Sequence, residues 1–288
     1  MQEANKALLS HPLRKLFAPE SIAIVGASSS LERLTGRTLR YLQSFGYGGA
    51  IYPINPKADV ISGLPVHRNV TEVEGPVDLA ILSIKAKLIP DALRACADKK
   101  IPFALIYSSG FSETGDRALQ EEVSAIARDG GIRVLGPNCQ GLANFAEGIP
   151  LTFSGALYEV PRPLPGHVAL VSQSGAFGFS SFGVGLEHGV RFRYVATTGN
   201  QSDLDAVECA DYVLEDPEVR LLMLYLEGLE DGAGFLRLVR KARERDIAVA
   251  VLKAGRSPSA REAAKSHTAA LTGDDRVWSA VFSQYGVI

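Results

Sequence analysis

The chain has 288 residues, of which 46% are hydrophobic and 22% charged, and its formal net charge is −2. That is the balance of a soluble globular protein long enough for two domains, with no surplus of positive charge to draw it to nucleic acid or a membrane surface. Three widely spaced cysteines, Cys96, Cys139 and Cys209, offer neither a disulfide framework nor a Cys-x-x-Cys metal pair, and no apolar run approaches the roughly 18 residues that span a bilayer. A cytoplasmic, reducing setting is expected, with no metal site. No long apolar segment marks Met1 to Lys15 as a secretory signal.

Short β-like runs alternate with helix-like stretches along almost the whole chain. Ser21–Val25 is an apolar run ending at Gly26, Leu34–Phe45 has helical spacing and stops near Gly46, and Ala50–Ile54 is the next run. Strands are predicted at Leu79–Ser83, Ala104–Tyr107 and Ile132–Leu135, with helices at Ile89–Lys99 and Arg117–Arg128. Continuous apolar runs alternating with helices predict a parallel sheet covered on both faces. Leu151–Pro165 holds three prolines with little periodicity and reads as a linker. A second series follows, with strands at Val168–Val171, Phe192–Val195, Leu221–Tyr225 and Ile247–Leu252, and helices near Phe177–Glu187, Asp203–Val213, Ala233–Arg245 and Asp274–Tyr285. Gly286-Val287-Ile288 reads as the start of a further strand, so the chain is expected to be a piece of a longer protein, cut short at its C-terminus. The expected organisation is an α/β domain over residues 1–150, a linker over 151–165 and a second α/β domain over 166–288, both with parallel sheets.

The turns after these strands carry the residues of interest. Val25-Gly26-Ala27-Ser28-Ser29 joins glycine to small hydroxyl residues, which lets the backbone approach a phosphate at a helix N-terminus. It is not a strict G-x-G-x-x-G, and the acid that would bind a ribose after the second strand is absent. In its place stands Asn55-Pro56-Lys57, whose ammonium suits a ligand phosphate as well as it suits plain solvent. Ser83-Ile84-Lys85, Ser108-Ser109-Gly110-Phe111 and Gly136-Pro137-Asn138-Cys139 end later strands, and ligands of open α/β sheets sit at such carboxyl ends. In the second series, Ser172-Gln173-Ser174-Gly175-Ala176 offers small residues and N–H groups to an anion. Ser172 stands where a serine hydrolase's G-x-S-x-G needs its first glycine, so that chemistry is not expected. Thr198-Gly199-Asn200 is another small polar turn, and Glu227 follows a buried strand. His267, in Ser266-His267-Thr268 and flanked by alanines, is sterically open. A neutral imidazole is a nucleophile, although a loop histidine taken alone is most often a bland surface residue.

In this order these segments resemble the signatures of the NDP-forming acyl-CoA synthetases, relatives of the succinyl-CoA synthetase α subunit, and the resemblance runs from about Leu16 to Ile288. It implies a Rossmann-like CoA-binding domain followed by a flavodoxin-like domain that carries a phosphorylated histidine. His267 would be that histidine and Glu227 the carboxylate that steadies it. Ser172, Ser174, Gly175, Ala176, Gly199 and Asn200 would surround the phosphate. Gly26, Ala27, Ser28, Ser29, Asn55, Pro56 and Lys57 would hold CoA phosphates. Ser83, Ile84, Lys85, Ser108, Ser109, Gly110 and Phe111 would line the nucleotide and pantetheine path, with Asn138 and Cys139 near the thiol. The implied ligase interconverts acid, CoA and ATP with acyl-CoA, ADP and phosphate through acyl phosphate and phosphohistidine. It needs an ATP-grasp domain, fused or on a partner subunit, for ATP/ADP and Mg²⁺; none is visible in these 288 residues. A small carboxylic acid and a homo- or hetero-oligomer are implied as well. One departure is Ala269, where the family usually has glycine after the threonine; the extra methyl hinders positive φ there.

Two other readings stand beside this one. A non-catalytic CoA-sensing module fused to a protein acyltransferase would be expected to lose the histidine, which is present. An NAD-dependent oxidoreductase would be expected to carry the missing ribose acid.

Overall fold

The structure, a computed structural model, describes residues 2–30, 32–158, 160–255 and 275–288. Two short helices, α1 (Gln2–Ser10) and α2 (Arg14–Phe17), lead into β1 (Ser21–Val25). There follow α3 (Leu34–Ser44), β2 (Ala50–Ile54), a two-stranded ribbon of β3 (Val60–Ile61) and β4 (Leu64–Pro65), then β5 (Leu79–Leu82), α4 (Ile89–Asp98), β6 (Phe103–Ile106), α5 (Arg117–Gly130) and β7 (Arg133–Leu135). Five of the strands form one parallel sheet in the order β2-β1-β5-β6-β7. Both faces of this sheet are covered, which is why its strands are apolar without alternation. Ala23, Ala80, Leu82, Ala104 and Ile106 point toward the core shared with α4 and α5. Their neighbours Ile22, Ile24, Leu79, Ile81 and Leu105 point the other way, into a core that continues to the second half of the chain.

The second half contains β8 (Gly141–Asn144), β9 (Ile149–Thr152), β10 (Val168–Ser172), α6 (Gly175–Glu187), β11 (Phe192–Thr197), α7 (Ala206–Leu214), β12 (Leu221–Leu226), α8 (Gly232–Glu244), β13 (Ala248–Lys253) and α9 (Asp275–Tyr285). Its sheet runs β13-β12-β10-β11-β8-β9. The first four strands in that order are parallel, but β8 pairs antiparallel with β11, and β9 antiparallel with β8. The sheet is therefore mixed, where a parallel one was expected: a hairpin with only four residues between its strands returns antiparallel, whereas parallel pairing needs a long crossover. Pro150 is tolerated because β9 lies at the sheet edge. Residues 151–152, expected to open a linker, are thus strand, and residues 141–152 extend the second sheet. Helix α3 seals that edge, with Thr38 Oγ1 donating to Thr152 O at 3.0 Å and Tyr41 Oη to Ser154 O at 2.9 Å. Beyond α9, Ile288 exchanges backbone hydrogen bonds with Val249 and Val251 (3.0 and 2.7 Å), as a strand starting near Gly286 would.

The N-terminal helices bind the two halves together. Phe17 is fully buried and stacks on Tyr212 with centroids 4.2 Å apart. Leu13 N donates to His11 Nδ1 at 3.1 Å, so Nε2 carries the proton and donates to Asp211 Oδ2 at 3.3 Å. That hydrogen bond, opposed by burial and aided by Lys241 at 2.6 Å, lowers the Asp211 pKa to about 2. A depressed carboxylate stabilises the fold fully above its unfolded pKa near 3.8 and loses that contribution as pH falls through the folded value. Urea denaturation of wild type and Asp211→Asn should show a stability gap that is full at neutral pH and closes between about pH 4 and about pH 2. A gap independent of pH would rule out this tether as its source.

Candidate functional site

Four consecutive strand ends of the first sheet carry the residues singled out in the sequence. Gly26, after β1, has φ +88°, and a Cβ there would stand 2.5 Å from Ser83 O, after β5. Only glycine lets these two turns touch. Asn55 Nδ2, after β2, donates to Ala27 O at 2.7 Å, and Lys57 N donates to Asn55 Oδ1 at 2.8 Å. Ser108 Oγ, after β6, donates to Ile84 O. The outcome is a backbone-lined shelf with Ala27 buried beneath it and Ser29, Pro56, Lys57 and Lys85 exposed around it. Two ammonium groups, the hydroxyl of Ser29 and the half-buried hydroxyl of Ser28 suit a polyphosphate, so the donor set fits a CoA-type ligand. Gly110 and Phe111 are placed differently: their N–H groups already serve Glu113 Oε1 at 2.6 and 3.3 Å, and Phe111 is fully buried.

The two halves meet along residues 136–141. Asn200 N donates to Pro137 O at 2.9 Å, Ser202 N to Gly136 O at 3.0 Å, and Gln140 N to Thr197 Oγ1 at 3.0 Å. Above this seam the carboxyl ends of both sheets open into one cleft of about 1190 Å³. Ser109, Asn138 and Cys139 line it from the first half; Ser174, Gly175, Ala176, Gly199, Asn200 and Glu227 line it from the second. Ser174 caps α6, its Oγ accepting from Phe177 N at 3.3 Å, so the positive end of a 13-residue helix faces the cleft. Ser172 lies below, fully buried, with its hydroxyl donating to Ser174 O at 2.6 Å. Burial pushes the Cys139 thiol up to about 12, so it stays protonated and is no nucleophile at neutral pH. His267 lies outside the described residues.

Two cleft residues to which the sequence assigns no role are Glu113, two residues past Phe111, and Gln173, inside the Ser172–Ala176 turn. Glu113 anchors an amide chain across the seam: Asn200 Nδ2 donates to Glu113 Oε2 at 2.5 Å, and Asn138 Nδ2 to Asn200 Oδ1 at 3.1 Å. Partial burial raises the Glu113 pKa, but the bonds from Asn200, Gly110 and Phe111 outweigh it, and the net shift is downward. Gln173 is buried at the cleft wall and reaches Glu227 and Gly228. The only signal for either is its place beside a small polar turn, Glu113 after Ser108-Ser109-Gly110-Phe111 and Gln173 within Ser172-Gln173-Ser174-Gly175-Ala176, since polarity at a strand end does not say which side chain turns inward.

Fold and cleft define a tandem of a nucleotide-type parallel sheet and a flavodoxin-like unit. A family model described as a CoA binding domain matches residues 20–144, and one described as a succinyl-CoA ligase like flavodoxin domain matches residues 165–288. The chain is 34% identical over 282 residues to the α subunit of acetate–CoA ligase (ADP-forming) I of Pyrococcus furiosus, covering 96% of this chain and 60% of that one. It is 32% identical over 276 residues to 4-hydroxybutyrate–CoA ligase (ADP-forming) of Nitrosopumilus maritimus, covering 95% and 39%. Dinucleotide forming acetyl-coenzyme A synthetase 1 of Ca. Korarchaeum cryptofilum, solved in complex with phosphate and ADP, superposes with a TM-score of 0.89 at 34% identity, covering 96% of this chain and 59% of that one. The chain belongs to the NDP-forming acyl-CoA synthetase family, resembling its succinyl-CoA synthetase α-subunit-like part. It spans at most 60% of the length of these relatives. No helix among the described residues is long and apolar enough to cross a membrane.

Proposed function

We propose that this chain is the acyl-transfer and phosphohistidine segment of an NDP-forming acyl-CoA synthetase, acting in the cytoplasm with an ATP-grasp domain or subunit. The observation that carries the reading is the single cleft into which both sheets open, with a CoA-type shelf beside it and a helix N-terminus and Glu227 on its wall. Gly26–Ser29, Asn55–Lys57 and Lys85 hold the phosphates of CoA, and the acyl thioester reaches the cleft near Asn138. A phosphate oxygen adds to the thioester carbonyl, the C–S bond breaks, and CoA leaves as thiolate. The resulting acyl phosphate lies at the N-terminus of α6, whose N–H groups offset its negative charge. A neutral nitrogen of His267 then adds to phosphorus, the P–O bond breaks, and the small carboxylic acid departs. The other ring nitrogen of the imidazolium donates its N–H to the Glu227 carboxylate, which steadies the positive charge. The phosphoryl group passes on to ADP, held with Mg²⁺ by the ATP-grasp partner. The covalent relay divides one long transfer into two short ones, and its rate depends on positioning and charge.

The intact protein should release free thiol from acetyl-CoA only when inorganic phosphate is present, as read with a thiol reagent. Release that ignores phosphate would contradict the reading, since simple thioester hydrolysis needs no phosphate.

A further inference from the structure

Glu227 stands just past the end of β12, where the ladder with β13 stops at Leu226. Its main chain therefore needs other partners. Gln173, just past the end of the adjacent β10, supplies them. Its Oε1 accepts from Glu227 N at 2.5 Å and from Gly228 N at 3.0 Å, and its Nε2 donates to Gly228 O at 2.8 Å. Both ends of one amide are thus spent on two residues. Gln173 N also donates to Tyr225 O at 3.1 Å, so backbone and side chain grip the same strand end. Gln173 is 8% exposed, and a buried amide is retained at no penalty only when its donors and acceptors are met. From the opposite side Lys253, 6% exposed at the end of β13, donates Nζ to Glu227 O at 2.8 Å. The residue after Gln173 is Ser174, the cap of the helix that faces the cleft. One side chain therefore couples the backbone that carries Glu227 to the backbone that cradles an anion.

We propose that Gln173 is a positioning residue for phosphoryl transfer, fixing the Glu227 carboxylate relative to the N-terminus of α6, with Lys253 bracing the other side. The inference rests on the reading of Glu227 as the partner of a phosphorylated His267. A carboxylate serves that role only at hydrogen-bond range, and displacing it by about 1 Å is enough to slow transfer by up to 100-fold. Gln173→Met keeps the length and apolar stem and removes all three side-chain bonds.

The test is a double-mutant cycle in the intact protein with its ATP-grasp part, reading the single-turnover rate of phosphoryl-enzyme formation from labelled ATP and Mg²⁺. Gln173→Met should lower that rate roughly 10- to 100-fold and leave the CoA dissociation constant within about twofold. In a Glu227→Gln background the same change should cost less than about threefold, because the carboxylate it positions is gone. An equal loss in both backgrounds would overturn the inference and assign Gln173 a merely structural part. An unslowed Gln173→Met would overturn it too. If Glu227→Gln itself transfers at the wild-type rate, the reading of Glu227 fails, and the inference with it. Should Gln173→Met not fold, Gln173→Asn withdraws the amide by one methylene while leaving a polar group, and the same contrast between backgrounds is required of it.

Discussion

His267→Asn is expected to abolish the phosphoryl-enzyme and to reduce ATP-dependent acyl-CoA formation by about 10⁴-fold or more, while the affinity for CoA stays within about twofold of wild type. Asparagine matches the imidazole in size and polarity, but its amide nitrogen has no lone pair free to attack phosphorus. The proposed CoA shelf lies on the first sheet, at the ends of β2, β1, β5 and β6, where hydrogen bonds join the turns of that sheet to one another. Loss of turnover without loss of CoA binding would therefore separate the two functions of the chain. Steady-state turnover and calorimetric titration with CoA measure them independently. A variant that keeps substantial turnover would remove the covalent relay from the account.

Gly199→Ala should have the largest effect on stability among single methyl additions to the cleft. Gly199 has φ +58°, and a Cβ there would stand 2.2 Å from Pro137 O and 2.6 Å from Asn138 O. Both are backbone atoms of the seam, so no side chain can swing aside. The left-handed backbone costs about 1 kcal/mol for alanine, and forcing the loop apart adds about 1–3 kcal/mol. A fall in Tm of roughly 5–10 °C follows for a chain of this size. Gly189, at φ +79° with nothing within 4 Å of a Cβ, provides the control: Gly189→Ala should carry the conformational cost alone. Equal shifts for the two variants would mean that the seam yields easily and that the close contact with Pro137 is not needed.

The sequence was most informative where one periodicity ruled a whole element. The run Ser21–Val25 coincides with β1, because a strand buried on both faces has no other pattern available, and the run Ala50–Ile54 coincides with the edge strand β2. It was silent where pairing partners decide. Gly141–Asn144 and Ile149–Thr152 are short, one opens with glycine and the other contains proline, and neither has a strand pattern apart from β11 and α3. The site shows the same division. Small polar turns at strand ends could be read in order, and the fold brings those of both sheets to adjoining places. What each side chain does there depends on neighbours far away in the chain. Gly110 and Phe111 lie in a turn of the expected kind, yet Glu113 claims their N–H groups; Ser172 belongs to the expected motif, yet its hydroxyl faces its own turn. Gln173 and Lys253 reach Glu227 across 54 and 26 residues, distances no local pattern encodes.

The most direct test of the central claim is to incubate the intact protein with labelled inorganic phosphate and acetyl-CoA, without nucleotide, and to locate the label by peptide mapping. The account predicts an acid-labile, alkali-stable phosphoryl group on His267, formed in step with release of CoA thiol and absent from His267→Asn. Thiol release with no label on the protein, or a label on any other residue, would contradict it.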